Sequence, residues 1–476
     1  MAKLSRTERR KKELRRRILQ VLLLLLFMAC VLVFAVGGVI SGRQKKAEEK
    51  KKKEAEIAAE EEDLSRKRQI IEEADFLAEG YDYDAAIELL EKQRGYDTDT
   101  EMINAIARYK AAKTNLESID VKDVPHLYFQ PLIVDPDRAL STNHLTEESV
   151  ANNNAWMTTV DEFEAIIESM YDNDYVLVSM HDLVTETVDE NGVTHISANK
   201  DLKLPPGKYP YVLSVDDLSY YHQYARMGFA DRLVLDEDGA VKCEYTGSSG
   251  ETETGDFDVV PILDRFLTEH PDGAYKGARG LICLTGYQGI FGYRTDISYE
   301  TGENLTDYQE SWLHANPDFD REEEVARAQE IADALREEGW EFACHTWGHI
   351  SLSSDNMDTL RSDQLKWQTR VGSIVGSTDI MAFIPGNDIE DWHPYSYDND
   401  AFAFFKDQGY NLFLCVNSSD KYWVQLQDNS YRMGRIACNG LQMWRNLNGD
   451  TRFNVFEDYF DVEDVFDSHR PTPVHQ

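Results

Sequence analysis

The sequence predicts an α/β fold that follows one membrane-spanning helix. Short apolar runs of strand type alternate with helical segments along residues 120–476, a pattern typical of an α/β sheet or barrel rather than a β-sandwich. Side chains that can carry chemistry, Asp216 and His345 among them, directly follow two of these runs, where α/β sheets and barrels place their sites. One apolar run of 23 residues near the N-terminus predicts the membrane helix.

The N-terminal segment has the composition of a membrane anchor. Residues 1–17 contain nine Lys or Arg residues, and residues 18–40 form an almost uninterrupted apolar run. A bilayer needs about 20 such residues, whereas the apolar core of a signal peptide has about 7–15. No small-residue cleavage site follows Ile40, so an uncleaved anchor is preferred over a signal peptide. The clustered positive charges predict a cytoplasmic tail, with the remaining chain outside the cell.

The two ends of the chain differ in charge. The first 53 residues contain 16 of the 49 basic residues and four of the 87 acidic ones, so the remaining 33 basic and 83 acidic residues give residues 54–476 a formal net charge of −50. Such a surface repels nucleic acid and anionic lipid headgroups. The composition therefore predicts no nucleic-acid partner and disfavours a strongly anionic polymer as substrate.

Two segments separate the anchor from the main domain. Residues 41–68 are rich in Lys, Glu and Ala and predict a solvated helical spacer, with a disordered linker as the alternative. Residues 69–118 carry apolar residues at helical spacing on both sides of a Gly80-Tyr-Asp turn, which resembles one tetratricopeptide-type hairpin extended by a third helix. One repeat buries its own face poorly, so the hairpin is expected to pack on the main domain or to form a stalk. A protein partner through this segment is a further interpretation.

The main domain, residues 120–476, alternates strand and helix signals. Helical patterns begin at Thr158, with a cap signature, and at Arg321. Asn191-Gly192 and Asp238-Gly239 predict hairpin tips. Residues 287–316 are aromatic and irregular, which suits either a sugar-binding rim or ordinary loop packing. Residues 247–258 predict a polar loop, and the strand-like runs are 124–134, 174–180, 211–216, 280–286 and 340–344.

Two short motifs supply candidate metal ligands. Asp216 and Asp217 end a Val- and Leu-rich run, and burying two adjacent carboxylates requires a cation, hydrogen bonds or water. His345 and His349 follow another strand-like run. An Asp and two His can hold a zinc-type metal and leave one position open, while the second acid is free to accept a proton. Either motif alone is more often a turn, a cap or a chance spacing, but their shared position after strands favours a site.

Together the motifs resemble those of the polysaccharide deacetylase family, metal-dependent carbohydrate esterases. Ser214-Val-Asp-Asp217 is similar to the family's Thr-Phe-Asp-Asp-Gly, with Leu218 in place of Gly. His345-Thr-Trp-Gly-His349 matches its His-(Ser/Thr)-x-x-His. The resemblance implies a distorted (β/α) barrel and a divalent metal, with zinc expected. It also implies Asp216 as the catalytic base and, as metal ligands, Asp217, His345 and His349.

The family's later motifs are only partly present. Pro385 and Gly386 fall where the family has Arg-x-Pro, and the Arg that would orient the base is absent from this motif. Asp420 and Trp423 resemble part of its Asp-Ser-x-Asp-Trp motif. By resemblance, these four residues are the expected substrate-binding residues.

The general acid has no clear counterpart. In the family, a Leu-x-His motif at a strand end supplies it, and the strand-like run 435–439 has no His. His393 and His469 are candidates in this half of the chain, and the acid stays unassigned.

The resemblance implies a hydrolase of carbon–nitrogen or ester bonds that removes N- or O-linked acetyl groups from a cell-envelope or extracellular glycan. The alternative is a catalytically impaired, membrane-anchored glycan-binding or scaffold protein of the same fold. A third interpretation assigns the function to the 69–118 hairpin and treats the barrel as a spacer.

Overall fold

The computed structural model describes residues 6–353, 356–384, 386, 388–390, 392–450, 452 and 454–475. The chain divides into two units, Met1–Glu73 and Ala74–Gln476. The described part of the first unit belongs to one helix, Arg6–Glu79. This helix contains an apolar stretch long enough to cross a bilayer, a finding that fits a single-pass anchor and also fits a signal sequence.

Within the described residues, seven parallel strands of the second unit close into a barrel. Their order around the barrel is β3-β4-β5-β6-β7-β1-β2, and pairing of β2 with β3 closes it. This closed parallel sheet confirms the predicted distorted (β/α) barrel. In chain order the strands are β1 (His126–Phe129), β2 (Tyr209–Asp216), β3 (Leu281–Leu284), β4 (Glu341–Cys344), β5 (Ile380–Ala382), β6 (Leu412–Val416) and β7 (Ser430–Ala437).

The barrel strands contribute alternate residues to two different apolar clusters. Val212, Leu281 and Ala343 belong to a cluster that joins barrel-strand residues to residues of other segments. Leu213 and Ile282, their neighbours in sequence, belong to a second cluster that includes residues of the surrounding helices. Because successive side chains of a strand point to opposite faces, the strand residues of the first cluster face the barrel interior and those of the second face the surrounding helices.

Helices connect and cover the strands. The predicted helix from Arg321 is observed as Arg321–Glu338, and the cap predicted near Thr158 is a capping box between Thr159 and Glu162. Other α-helices in the described part of the barrel domain are Pro136–Ala139, Glu147–Trp156, Val160–Asp172, Val259–Glu269, Ser298–Thr301, Asp307–Ala315, Met357–Arg370, Gly372–Val375, Asp400–Asp407, Gly440–Leu447 and Val462–Val465.

Several smaller strands lie outside the set of seven barrel strands. Asn191-Gly192 is the predicted hairpin tip, between strands Val184–Val188 and Thr194–Ala198. The predicted polar loop at 247–258 is wrong in part, because Thr252–Gly255 pairs with the preceding strand. Its Thr residues favour strands even though the segment is exposed. The other strands are Glu117–Ser118, Tyr175–Leu177, Lys203–Leu204, Arg232–Leu235, Val241–Thr246 and Val424–Gln427.

The predicted turn at Gly80 contacts the barrel domain. The Tyr81 hydroxyl donates to the Asp272 carbonyl at 2.8 Å, and the Lys276 N–H donates to the Gly80 carbonyl at 2.6 Å. Two helices follow this turn, Tyr83–Glu91 and Thr100–Lys113. These hydrogen bonds favour packing on the barrel domain for the turn. A protein partner through residues 69–118 stays a prediction.

Candidate active site

The two predicted motifs meet at one end of the barrel. Asp216 is the last residue of β2, and His345 directly follows β4. The strand β3 lies between them and pairs with both in parallel. The backbone N–H groups of Asp217 and His345 donate to the β3 carbonyls of Cys283 and Leu284, at 3.1 and 3.0 Å. Since the carboxyl ends of parallel strands lie at the same barrel end, the topology brings together residues that are distant in sequence.

Asp217, His345 and His349 form a cluster of three donors. One donor atom of each lies within 4.8 Å of the others, and Asp217 Oδ2 is 3.5 Å from His349 Nε2. One carboxylate and two imidazoles are a donor set found in catalytic zinc sites, where a further position stays open. Asp217 and His345 are buried, whereas the His349 side chain is 42% exposed. The cluster therefore fits a divalent metal and is accessible from one side.

A backbone carbonyl sets the orientation of His345. Its Nδ1 lies 2.9 Å from the Ala382 carbonyl oxygen, and a carbonyl can only accept, so Nδ1 carries the proton. The Nε2 lone pair is then free, and this nitrogen lies 3.7 Å from Asp216 Oδ2. Burial lowers the pKa of His345, which favours the neutral form that binds metals.

The carboxylate of Asp217 and the imidazole of His349 shift each other's pKa. Burial opposes the ionised carboxylate, but the hydrogen bond and charge of His349 outweigh it and lower the pKa of Asp217 to about 2. Burial also opposes a charged His349, yet the hydrogen bond to Asp217 raises the pKa of this imidazole. The pair thus favours a positive charge between the two side chains, and a metal ion supplies such a charge.

A neighbouring carboxylate holds the backbone of the second motif. Thr346 and His349 have φ angles of 56° and 53°, in the left-handed region that residues other than glycine rarely adopt. The N–H groups of Trp347 and Gly348 donate to Asp363 Oδ1 and Oδ2, at 2.7 and 2.8 Å. Backbone strain of this kind concentrates at functional sites and persists where the surroundings enforce it. Asp363 provides such support here.

Arg435 on β7 pairs with the predicted base. Its Nη1 and Nη2 donate to Asp216 Oδ1 and Oδ2, at 2.6 and 3.0 Å, the two-pronged geometry that makes Arg–carboxylate pairs strong and directional. Both side chains are buried. An Arg on a later strand thus pairs with Asp216, whereas the sequence 381–386 contains none. The signal was available in the sequence, because Arg432 and Arg435 interrupt an otherwise uncharged strand, and a buried Arg requires an acidic partner.

Further buried groups fix the guanidinium of Arg435. Its Nη1 also donates to Ser214 Oγ at 3.2 Å, and this oxygen lies 2.9 Å from His126 Nε2. The guanidinium carbon lies 4.5 Å from the centroid of the Tyr128 ring. Burial holds the pKa of His126 well below its usual value, so a neutral imidazole sits beside the cation. These contacts hold Arg435, and through it Asp216, in one position.

One cavity of about 860 Å³ opens onto the motif residues and Arg435. The helix Glu147–Trp156 forms part of its wall. Its lining is rich in uncharged polar and aromatic side chains, among them Gln130, Thr146, Ser149, Asn152, Asn153, Gln223, Asn439, Tyr128, Trp156, Tyr224 and Tyr308. Such a lining suits a ligand that offers hydroxyl and amide groups together with apolar ring faces.

The four expected substrate-binding residues differ in whether they line the cavity. Gly386 lines the cavity, and Pro385 lies outside the described residues. Asp420 is exposed and accepts the N–H of Tyr422 at 3.3 Å. Trp423 packs edge-to-face against Trp392, with ring centroids 4.6 Å apart. Among the described residues that line the cavity, neither Asp420 nor Trp423 is present.

Neither candidate for the general acid, His393 or His469, is among the described residues that line the cavity. His393 is exposed, and His469 Nδ1 lies 2.8 Å from Asp467 Oδ1.

In the aromatic segment 287–316, Tyr308 lines the cavity, whereas Tyr299 and Trp312 pack against each other. A third carboxyl group, that of Glu148, lines the cavity besides those of Asp216 and Asp217.

Comparison with known proteins finds four matching chains among solved structures. No protein-family model and no curated protein matches the chain. A Streptococcus pyogenes deacetylase, PplD, solved in complex with acetate, is 12% identical at a TM-score of 0.36, and the match covers 71% of this chain and 98% of that one. A polysaccharide deacetylase from Bacillus cereus is 10% identical at a TM-score of 0.33, and the match covers 68% of this chain and 65% of that one. Two solved structures similar to this chain are thus deacetylases.

Proposed function

We propose that the chain is a metal-dependent hydrolase that removes acetyl groups from a cell-envelope or extracellular glycan. The observation that carries this proposal is the convergence, at one barrel end, of a three-donor cluster with a separate Asp216 that Arg435 holds in place. The motif resemblance of the sequence points to the same chemistry. The bond cleaved is an amide or an ester, since the same residues serve both.

The chain's own residues have distinct roles in this proposal. Asp217, His345 and His349 would hold the metal, for which zinc suits the donor set. When bound there, a divalent metal supplies Lewis acidity toward water and toward an acetyl carbonyl. Asp216 accepts the proton of the attacking water, because its oxygens keep lone pairs beyond those that Arg435 occupies. Arg435 keeps this carboxylate aimed at the three-donor cluster.

The cavity lining supports an uncharged glycan as the substrate. Among the described lining residues, Arg435 is the sole Lys or Arg, and it is paired with Asp216. An anionic sugar would meet Glu148 and no free cation in the described lining. Amide side chains can bind the hydroxyl and acetamido groups of a sugar, and Trp156 and Tyr308, both partly exposed, can pack on ring faces. Gly386 lines the cavity, and the proposed substrate contacts of Gly386, Pro385, Asp420 and Trp423 rest on the motif resemblance.

Removing the metal tests this function. The full chain, purified in detergent, is expected to contain about one divalent metal per chain and to release acetate from acetylated chito-oligosaccharides. Dialysis against a chelator should abolish acetate release, because the three donors alone cannot activate water, and added zinc should restore it. Metal content and acetate are both measured directly. Acetate release that persists in the metal-free protein would contradict the proposal.

The second candidate is a glycan-binding protein of the same fold without turnover. One observation favours it: among the described cavity residues, the two histidines are both part of the three-donor cluster, so no histidine is free to protonate the leaving group. Bound metal and glycan binding without acetate release on any acetylated glycan would support this candidate over the enzyme.

We propose that the apolar helix anchors the chain as a single-pass membrane protein with the barrel outside the cell. The support is the length of the apolar stretch and the nine basic residues that precede it. Protease added to intact cells is expected to degrade the barrel while leaving a short N-terminal fragment protected. Cleavage of the barrel only after the cells are lysed would show that the barrel lies in the cytoplasm.

A further inference from the structure

Two linked and buried hydroxyl groups lead to Oδ1 of Asp217, whereas His349 is near its other oxygen, Oδ2. Tyr221 Oη is 2.6 Å from Asp217 Oδ1 and 2.5 Å from Thr285 Oγ1. Tyr221 is 4% exposed and Thr285 is fully buried. A carboxylate can only accept, so the single phenol proton goes to Asp217. The Thr285 hydroxyl then donates to Tyr221, which gives a directed chain from Thr285 through Tyr221 to Asp217.

The two oxygens of Asp217 therefore have different tasks. Oδ1 accepts the phenol, whereas Oδ2 faces His349 Nε2 at 3.5 Å. We infer that Tyr221 is a positioning residue for the metal centre, which fixes the Asp217 carboxylate so that Oδ2 alone is presented to the ion, and that Thr285 orients the phenol. This inference rests on the proposed metal site and adds to it the group that sets how its carboxylate binds.

The local backbone and packing give Tyr221 little freedom. Asp217 and Tyr220 have φ angles of 57° and 47°, so the chain after β2 turns sharply and returns the side chain of Tyr221 to Asp217, four residues earlier. The Tyr221 ring packs near Tyr224 and Tyr287, with centroids 6.1 and 5.1 Å away. Burial raises the pKa of Tyr221 well above its usual value, so the phenol keeps the proton that it donates.

Groups that bind the ligands of a metal tune its affinity. Removing such a partner typically weakens metal binding by about 10- to 100-fold. Without the phenol, the Asp217 carboxylate can rotate, and both of its oxygens can face the ion. The ion would then meet a changed coordination number as well as a less ordered ligand.

Tyr221→Phe tests the inference in the full chain. We expect its zinc affinity, measured by competition with a chromophoric chelator, to fall by about 10- to 100-fold, and the visible spectrum of the cobalt-loaded protein to shift. Thr285→Val should weaken zinc binding less, because the phenol remains. Neither readout depends on turnover.

Tyr220→Phe is the matched control. Tyr220 is on the same turn and is buried, but its hydroxyl lies 3.7 Å from Cys243 Sγ and interacts with the buried carboxyl group of Asp258, not with Asp217. Its loss is expected to leave zinc affinity and the cobalt spectrum unchanged. If Tyr221→Phe misfolds, the Thr285→Val variant decides by the same two measurements.

The outcomes separate this inference from the proposed function. A wild-type chain that binds zinc, with equal affinity and an equal cobalt spectrum in Tyr221→Phe and Thr285→Val, would overturn the role of Tyr221 and leave the proposed function standing. A wild-type chain that binds neither zinc nor cobalt would overturn both.

Discussion

Asp216→Asn is expected to lower kcat for acetate release by about 10²- to 10⁴-fold, the usual contribution of a general base, while the metal stays bound. The substitution keeps the size of the side chain but removes its capacity to accept a proton. The amide oxygen can still accept from Arg435, whereas its NH₂ group cannot. His345→Ala should behave differently, because it removes a ligand. We expect that variant to lose the metal together with activity.

Comparing these two variants distinguishes the role of a catalytic base from that of a metal ligand. Metal content per chain and kcat are measured on both, with KM as the control for substrate binding. We expect metal content near that of the wild type in Asp216→Asn, and metal content near zero in His345→Ala. Loss of the metal from Asp216→Asn would show that this carboxylate is a ligand, and unchanged kcat would remove it from the reaction.

The barrel and its predicted ligands follow from local sequence patterns. Asp217 and His345 directly follow short apolar runs, and parallel strands bring their carboxyl ends together whatever their separation in the chain. The loop geometry is harder to foresee, since the positive φ angles of Thr346 and His349 depend on Asp363, which lies on a later helix. Tertiary contacts of this kind leave no local periodicity.

The motifs of the sequence do not predict Arg435 as the partner of Asp216, and the reason is different. The motif resemblance places the orienting Arg near Pro385, whereas the structure places Arg435 on β7 against Asp216. What the site requires is a cation at one point in space, and any strand whose carboxyl end reaches that point can supply it. A resemblance that is read position by position cannot detect such a change of strand. The requirement that a buried charge have a partner can detect it.

Arg435→Met is expected to lower the free energy of unfolding by about 3–5 kcal/mol, the usual cost of breaking a buried ion pair. It leaves Asp216 buried beside Ser214 without its cation, and it removes the contact with the Tyr128 ring. Because Asp216 is then free to move, kcat is expected to fall as well, by about 10²-fold, as a displacement of about 1 Å can cause. Denaturant unfolding followed by tryptophan fluorescence measures the first effect, and acetate release measures the second.

Arg432→Met separates the two effects. Arg432 lies on the same strand, is fully buried, and pairs with the buried Asp388 at 3.0 Å. It is not among the described residues that line the cavity. We expect a similar loss of stability and an unchanged kcat. Arg435→Lys keeps the charge but loses the two-pronged geometry, so its kcat should fall between those of the wild type and Arg435→Met. Equal losses of kcat in Arg435→Met and Arg432→Met would reduce Arg435 to a structural role, because only a residue that aims Asp216 should affect turnover beyond its effect on folding.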